Sequence, residues 1–402
     1  MPTKPPLLLR PFAGVLPARD KAHLVATRSY LTYSDYELKD KLARNPYSYL
    51  HVIHPEGDLR SSFEWSAVRG AYGQFLEKGW LEADADEHYY VLRQSGPLGA
   101  CTGVVGLIPT AEAQRGRIKV HEATLADREA LFARYLSEVG LNAEPTLLGH
   151  APNAHVDAAV ASVTAGPADF DFTTADGVRH TLWRPDHAGK AAIAAAFATV
   201  SEAYIADGHH RVASSIRMAE AHPDYPESHA FMALMLPGDQ LMFKGYHRVL
   251  RDIAPAEMAR GLAAITRLDG AHWTPGETAF RDDRATIALR GATCGSLDIQ
   301  HALSSGNLTA AEWLQHKVLG PIFGIREPRT DRRLHYFAGD LSPDDLTAAS
   351  SSEDQLCFVM PAMGFESLCQ VADDGRHLPP KSTWIAPKLR SGLTLFDFGR
   401  TS

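Results

Sequence analysis

Several features that define common protein classes are missing from this sequence of 402 residues. Its four cysteines are scattered and form no Cys-x-x-Cys pair. This pattern argues against a disulfide scaffold and against a zinc ribbon or finger. No apolar run approaches the roughly 20 residues of a membrane helix, and the apolar stretch Leu7–Leu9 is too short for a signal peptide. The sequence therefore predicts a soluble, cytoplasmic protein with no membrane partner.

An excess of positive charge is also missing. Lys and Arg total 40 against 48 Asp and Glu, which gives a formal net charge of -8. An acidic chain gains little from contact with a polyphosphate backbone, and no helix-turn-helix pattern is evident, so nucleic acid is not expected as a partner. The P-loop pattern G-x-x-x-x-G-K-[ST] is absent as well. Any phosphate site must therefore be built from other residues.

The composition is otherwise that of an ordinary globular protein, with 45% hydrophobic and 22% charged residues. Helical and strand patterns are mixed without strict βαβ alternation, which predicts an α+β or irregular α/β fold with mixed sheets. We divide the chain into an N-terminal segment (1–86), a catalytic core (87–300) and a C-terminal segment that completes the site (301–402).

Local patterns predict individual elements along the chain. Leu50–Ile53 alternates like a strand, and Thr124 resembles the N-cap of a helix that runs to about Glu138. Asp176-Gly177 lies between two strand-like runs and predicts the turn of a β-hairpin.

The strongest local signal for chemistry is the stretch Tyr204–Arg211, which contains Asp207-Gly208-His209-His210-Arg211. A strand ends here, a glycine permits a tight turn, and a helix begins. The N-terminus of a helix attracts anions, and the guanidinium of Arg211 can bind phosphate oxygens. Asp207 suits such a site if it holds a divalent cation. Two alternatives stay open: a capped helix start with a solvated histidine pair, and a transition-metal site formed by Asp207, His209 and His210.

A second candidate is His121-Glu122, where a strand leads into a helix cap. Ligands bind at such strand ends in open sheets, and a glutamate there could accept a proton from an attacking hydroxyl. The alternative is an acidic residue of the first helical turn, stabilised by the helix dipole.

Two further basic stretches could bind an anion. His247-Arg248 forms a second His-Arg pair, and the segment 379–393 carries Lys381, Ser382, Thr383 and Lys388. A solvated basic face explains the first stretch equally well. A basic edge strand that prevents aggregation would explain the second.

Taken together, these stretches resemble a widespread bacterial family of conserved proteins, and the resemblance spans nearly the whole chain. The shared boxes occur in a fixed order: H-E-x-T at His121–Thr124, Y-I-A-D-G-H-H-R at Tyr204–Arg211, H-R-V-L at His247–Leu250 and P-P-K-S-T-x-x-x-P-K-L-x-S-G-L at Pro379–Leu393. The chain departs from the family at Thr27–Tyr30, where many relatives carry P-P-Y-D. Donor or substrate specificity is expected to differ if that segment touches the site.

The D-G-x-H-R box also resembles the phosphate-binding loop of the ParB and sulfiredoxin superfamily, which includes kinases of free L-serine. The resemblance implies a ParB/sulfiredoxin-like strand-loop-helix core and a kinase that converts serine to O-phosphoserine with ATP or pyrophosphate and Mg²⁺. Asp207, Gly208, His209, His210 and Arg211 would then hold the donor phosphates and the magnesium ion, with Asp207 as the metal ligand.

By the same resemblance Glu122 would be the base for the serine hydroxyl. Two other functions stay open: a metal-dependent phosphohydrolase that uses the same residues on water, and a non-enzymatic nucleotide-binding switch of the ParB type. The sequence does not indicate an oligomeric state.

Overall fold

The computed structural model describes residues 5–53, 65–276, 286–291, 293–306, 308–341, 345, 346, 348 and 352–399. The chain forms two compact units. Unit 1 comprises Met1–Met242 together with Pro387–Ser402, and unit 2 comprises Phe243–Ala386. These ranges do not coincide with the segments 1–86, 87–300 and 301–402, which divide the chain by sequence and stay a prediction.

Helices occur in both units. In chain order, the α-helices of the described residues are α1 (Ala22–Val25), α2 (Asp35–Arg44), α3 (Leu50–Ile53), α4 (Trp65–Glu77), α5 (Thr110–Gln114), α6 (Ala126–Val139), α7 (Ala154–Thr164), α8 (His187–Phe197), α9 (His209–Ala221), α10 (Pro255–Ile265), α11 (Gln300–Gly306), α12 (Ala310–Leu314) and α13 (Phe365–Asp373). None of the helices in these ranges is both long and apolar enough to cross a membrane.

The strands alternate irregularly with the helices. They are β1 (Val15–Pro17), β2 (Leu81–Ala83), β3 (Tyr90–Gly96), β4 (Gly99–Pro109), β5 (Ile118–Lys119), β6 (Leu141–Asn142), β7 (Thr146–His150), β8 (Phe170–Thr173), β9 (Arg179–Trp183), β10 (Ala203–Asp207), β11 (Ala230–Pro237), β12 (Met242–Lys244), β13 (His247–Leu250), β14 (His272–Pro275), β15 (Thr286–Gly291), β16 (Gly295–Asp298), β17 (Leu334–Phe337), β18 (Leu356–Val359), β19 (Trp384–Ala386) and β20 (Phe396–Asp397).

Unit 1 is built on an eight-stranded mixed sheet in the order β5-β10-β7-β11-β4-β3-β9-β8. Its central strand β11 is buried along its whole length, as expected of a strand covered on both faces. Helices α7, α8 and α9 contribute Val156, Ile193 and Val212 to the same hydrophobic core. The predicted hairpin at Asp176-Gly177 is confirmed, because β8 and β9 pair antiparallel on either side of it.

The pairing at one end of this sheet brings three chain segments together. Strand β10 runs parallel to β5 and antiparallel to β7. The carboxyl ends of β5 and β10 therefore lie at the same edge as the start of β7. Residues that follow β5 and β10, or precede β7, meet at this edge, which is where the candidate site lies.

Unit 2 is built on a six-stranded antiparallel sheet in the order β14-β16-β15-β18-β13-β17. Its core includes Leu250, Leu289, Trp313 and Phe358. Mixed parallel and antiparallel pairing in unit 1 and helices throughout the chain confirm the predicted α+β or irregular α/β fold with mixed sheets.

Two local predictions are wrong. Leu50–Ile53 forms helix α3 and not a strand, because Ser48 Oγ accepts a hydrogen bond from the Leu50 N–H and the Val52 and Ile53 amides donate to the Tyr49 carbonyl. Thr124 is not the N-cap of α6, which begins after Leu125 without a side-chain cap. The hydroxyl of Thr124 donates to the Glu129 carboxylate.

Candidate functional site

The D-G-H-H-R box forms a strand-loop-helix unit, as the sequence predicts. Strand β10 ends at Asp207, Gly208 adopts a φ of 102°, and α9 runs for 13 residues from His209. A positive φ of this kind is accessible mainly to glycine. A Cβ atom at Gly208 would lie 2.7 Å from Arg211 Nε, so the guanidinium of Arg211 folds back over the glycine. The turn thus brings a cation to the N-terminus of α9.

Asp207 lies between positive groups. Its carboxylate is 3.6 Å from Lys388 Nζ, and 46% of its side chain is exposed. Burial opposes ionisation of Asp207, but the charges of Lys388, Arg211 and His209 outweigh it and hold the pKa of the carboxyl below its ordinary value. Asp207 is therefore an ionised carboxylate at neutral pH. Lys388, which the sequence placed in the C-terminal basic box, belongs to the same site.

Glu144 is a site residue that the sequence did not indicate. It precedes β7, and its carboxylate accepts from Arg211 Nη1 at 2.5 Å and from Ser391 Oγ at 2.9 Å. A single glutamate before a proline in a turn has no motif around it, so only the antiparallel pairing of β7 with β10 reveals the contact. Glu144 fixes the guanidinium of Arg211 and links it to the segment that carries Lys388.

The N-terminal segment that departs from the family pattern lies beside this network. The Thr27 N–H donates to the Ser391 carbonyl at 3.1 Å, and the Ser391 N–H donates back to the Thr27 carbonyl at 2.9 Å. Burial raises the pKa of the Tyr30 phenol, an effect that the charge of Arg128 opposes. Thr27 is therefore connected through Ser391 to Glu144, whose carboxylate also binds Arg211.

The residues after β5 form the other side of the edge. His121 is buried, Glu122 is half-buried, and the imidazole of His121 meets that of His209 edge to face with ring centroids 4.5 Å apart. One potential ligand atom from each of His121, Glu122 and His209 lies within 4.8 Å of the other two. These three side chains could together hold a cation.

His210 contacts the start of α6. Its Nε2 accepts a hydrogen bond from the Leu125 N–H at 3.2 Å, at the start of α6. His210 therefore uses Nε2 as a hydrogen-bond acceptor in this arrangement. It joins the N-termini of α6 and α9, and its predicted role with the donor phosphates stays a prediction.

A buried polar network holds the returning segment 387–399 in unit 1. Arg390 donates to Asp176 Oδ2 at 2.6 Å and to His180 Nε2 at 3.3 Å. Burial and the charge of Arg390 lower the pKa of His180 to about 3. His180 is therefore a neutral acceptor, and the ion pair of Arg390 with Asp176 fixes the irregular segment between Lys388 and Ser391.

The remaining predicted phosphate ligands belong to unit 2. His247 is buried, its Nδ1 accepts from the Met360 N–H at 3.1 Å, and burial and Arg248 lower its pKa to about 4. The guanidinium of Arg248 is buried over the Tyr336 ring, and burial lowers its pKa to about 10.

The C-terminal box contributes three more predicted ligands to unit 2. Lys381 Nζ lies 5.3 Å from the centre of the Tyr246 ring. The Ser382 hydroxyl donates to the Pro379 carbonyl at 2.6 Å, and Thr383 is half-buried. Donor binding by His247, Arg248, Lys381, Ser382 and Thr383 stays a prediction.

The molecule is a protein of mixed helices and sheets, and a glycine turn precedes the N-terminus of α9, which is a candidate anion site. A family model described as a protein of unknown function (DUF1015) matches residues 9–303. The chain belongs to this family. A search of curated protein sequences gives no significant match.

Several solved structures show a distant likeness to the chain. One is SbnI from Staphylococcus aureus with a C-terminal truncation, at 11% identity and a TM-score of 0.40, over 70% of this chain and 82% of that one. A conserved hypothetical protein from Pyrococcus furiosus matches at 14% identity and a TM-score of 0.37, over 71% and 93%. A free serine kinase in complex with ADP matches at 13% identity and a TM-score of 0.39, over 71% and 91%.

Proposed function

We propose that this protein is a phosphotransferase that phosphorylates a small hydroxyl metabolite, with free L-serine as the acceptor and O-phosphoserine as the product. ATP or pyrophosphate would be the donor, and a divalent metal would assist. The observation that carries the proposal is that the N-terminus of α9, the cations of Arg211 and Lys388, and the carboxylate of Glu122 lie at one end of the sheet. The choice of serine as the acceptor rests on the resemblance of the sequence boxes to serine kinases.

The donor phosphates would bind at the N-terminus of α9. Amide groups at the start of a helix and its dipole favour an anion there. Arg211 lies against Gly208 and Lys388 faces Asp207, which adds two positive charges to this turn. Because Glu144 holds the guanidinium of Arg211 in place, little reorganisation is needed when charge develops on the transferred phosphoryl group.

Glu122 would act as the base that removes the proton from the acceptor hydroxyl. It follows β5 at the same edge as the start of α9, so an acceptor between them would have its hydroxyl near a carboxylate. A positioned base of this kind contributes about 10²–10⁴-fold to the rate. The Glu122 carboxylate would accept the hydroxyl proton as the oxygen attacks the terminal phosphorus of the donor and the bond to the leaving phosphate breaks.

Asp207 fits the proposed magnesium ion. Mg²⁺ prefers oxygen ligands and is usually held by one or two carboxylates together with substrate phosphates and water. The partly exposed, ionised carboxylate of Asp207 offers such an oxygen. When bound, the ion would neutralise charge on the donor phosphates. Lys388 would then exchange its contact with Asp207 for one with the donor.

The test is a matrix of incubations with magnesium, analysed by mass spectrometry. Serine, threonine and homoserine are each combined with ATP, ADP and pyrophosphate, and a sample without acceptor reports hydrolysis. Formation of O-phosphoserine above the other products supports the proposal and identifies the donor. Release of phosphate at the same rate with and without acceptor would instead indicate a phosphohydrolase.

A further inference from the structure

We propose that His121, Glu122 and His209 form a binding site for a divalent transition-metal ion. This site is distinct from the oxygen-rich position proposed for magnesium at Asp207. It rests on the geometry of the three side chains and not on the proposed phosphoryl transfer.

The three side chains come from two elements that the sheet holds in register. His121 and Glu122 follow β5, His209 is the first residue of α9 after β10, and β5 and β10 are parallel neighbours. Both histidines are buried, and their rings are almost perpendicular, at 83°. The apolar residues Ile118, Ala203 and Ile205 of the two strands are buried in the core of unit 1, which fixes the strands from which the three side chains extend.

The distances suit a cation after a small adjustment. The ligand atoms lie within 4.8 Å of one another. A tetrahedral ion with bonds of about 2.1 Å holds its ligand atoms roughly 3.4 Å apart. Side-chain rotations that move each atom by about 1 Å close that difference without movement of the strands.

The donor types select the class of metal. Two imidazoles and one carboxylate suit zinc, manganese, cobalt or iron, whereas magnesium prefers an all-oxygen shell. Three protein ligands leave at least one coordination position for water or a substrate oxygen, as in catalytic metal sites. That position would lie beside the N-terminus of α9, so a phosphate bound there could reach the ion.

The role proposed above for Glu122 is compatible with this site, because a carboxylate has two oxygens. The two roles nevertheless predict different behaviour of a Glu122→Gln variant. A glutamine at this position cannot accept a proton, and it is also a weaker metal ligand. Loss of turnover with unchanged metal affinity would support the base alone, whereas loss of both supports the metal site.

The experiment measures metal binding by the full chain, free of any substrate. The protein is stripped with a chelator, titrated with Co²⁺ and then with Zn²⁺, and followed by the visible spectrum of cobalt and by calorimetry. The variants are His121→Gln, Glu122→Gln and His209→Gln. His155→Gln, which removes an exposed histidine at the start of α7, is the matched control. Circular dichroism without metal verifies that each variant is folded.

We expect one equivalent of metal in the wild type and in His155→Gln, and at least about tenfold weaker binding in each of the three site variants. Absence of stoichiometric binding, or equal affinity in folded site variants and control, would overturn the proposal. Serine phosphorylation with magnesium but without transition-metal binding would leave the proposed function intact. Metal binding without phosphoryl transfer would leave the metal site intact and remove the proposed function.

Discussion

Asp207 and its cationic neighbours lead to the first prediction. Asp207→Asn keeps the shape of the side chain but removes the charge that faces Lys388 and would bind magnesium. We expect turnover to fall by about 10²-fold or more, because an electrostatic contact with the reacting phosphates is lost. Steady-state kinetics with varied magnesium measures the effect, and thermal unfolding verifies that the fold is retained.

Asp171→Asn is a suitable control for that variant. Asp171 forms an exposed ion pair with Arg179 on the β8–β9 hairpin, and such pairs contribute little to stability. Turnover near that of the wild type is expected there. Equal activity of Asp207→Asn and Asp171→Asn would remove Asp207 from the site.

Glu144 gives the second prediction, since it positions Arg211 through a bond of 2.5 Å. Glu144→Gln weakens this charge-assisted contact without opening a cavity. We expect the KM for the donor to rise severalfold, by more than kcat falls, since the guanidinium loses its fixed position. Glu144→Asp should restore part of the donor affinity. A change in thermal stability with unaltered kinetic constants would mean that Glu144 is only structural.

Some residues of the candidate site could be predicted from the sequence, and others could not. Asp207, Gly208, Arg211 and Lys388 were identifiable because glycine, a helix start and basic side chains carry known preferences. Glu144 was not, because its partner Arg211 is 67 residues away and only strand pairing joins them. The approach of His121 to His209 depends on strand pairing in the same way.

At the scale of elements, the turn between β10 and α9 gives the third prediction. Gly208→Ala forces a residue with a Cβ to adopt a φ of 102°, which costs about 1–3 kcal/mol of folding stability. The new Cβ would also lie 2.7 Å from Arg211 Nε. The guanidinium must move and break its contact with Glu144. We therefore expect both a lower melting temperature and a weaker affinity for the donor.

Gly177→Ala separates the two effects. Gly177 has a φ of 78° in the β8–β9 turn, and a Cβ there meets nothing within 4 Å. This variant should lose stability but keep donor affinity. If Gly208→Ala also keeps donor affinity, the position of the Arg211 guanidinium does not matter for binding.

Element types were predictable where a specific local signal was present, as at the Asp176-Gly177 turn between β8 and β9 and at Gly208 between β10 and α9. The pattern of the four residues Leu50–Ile53 was too short to distinguish a strand from a helix. The hydroxyl of Ser48 accepts a hydrogen bond from the Leu50 N–H and so favours the helix. The start of α6 was misassigned because the Leu125 amide finds its acceptor on His210 of another helix. Tertiary contacts of this kind override local capping preferences.

At the scale of the whole molecule, buried neutral histidines predict sensitivity to acid in both units. The pKa of His180 in unit 1 is lowered to about 3 and that of His247 in unit 2 to about 4, against 6.5 when unfolded. Below pH 6.5 the unfolded chain binds these protons and the folded chain does not, so stability falls as the pH falls towards 4. Each histidine should cost on the order of 1–2 kcal/mol between pH 7 and pH 5.

Unfolding by urea at pH 7 and pH 5 measures this loss. His180→Asn should flatten the pH dependence of unit 1, whatever its effect at pH 7. His155→Gln, with its exposed imidazole, should leave the dependence as in the wild type. An unchanged slope in His180→Asn would show that another group binds the protons.

The return of the chain to unit 1 at Pro387 has a consequence for biosynthesis. The ribosome makes Lys388 and Ser391 only after the whole of unit 2, although their partners Asp207 and Glu144 were made long before. A nascent chain that stops within unit 2 lacks the cation beside Asp207 and the hydroxyl on Glu144. The site thus assembles only after unit 2 has been translated, and shorter nascent chains carry the D-G-H-H-R loop without Lys388 and Ser391.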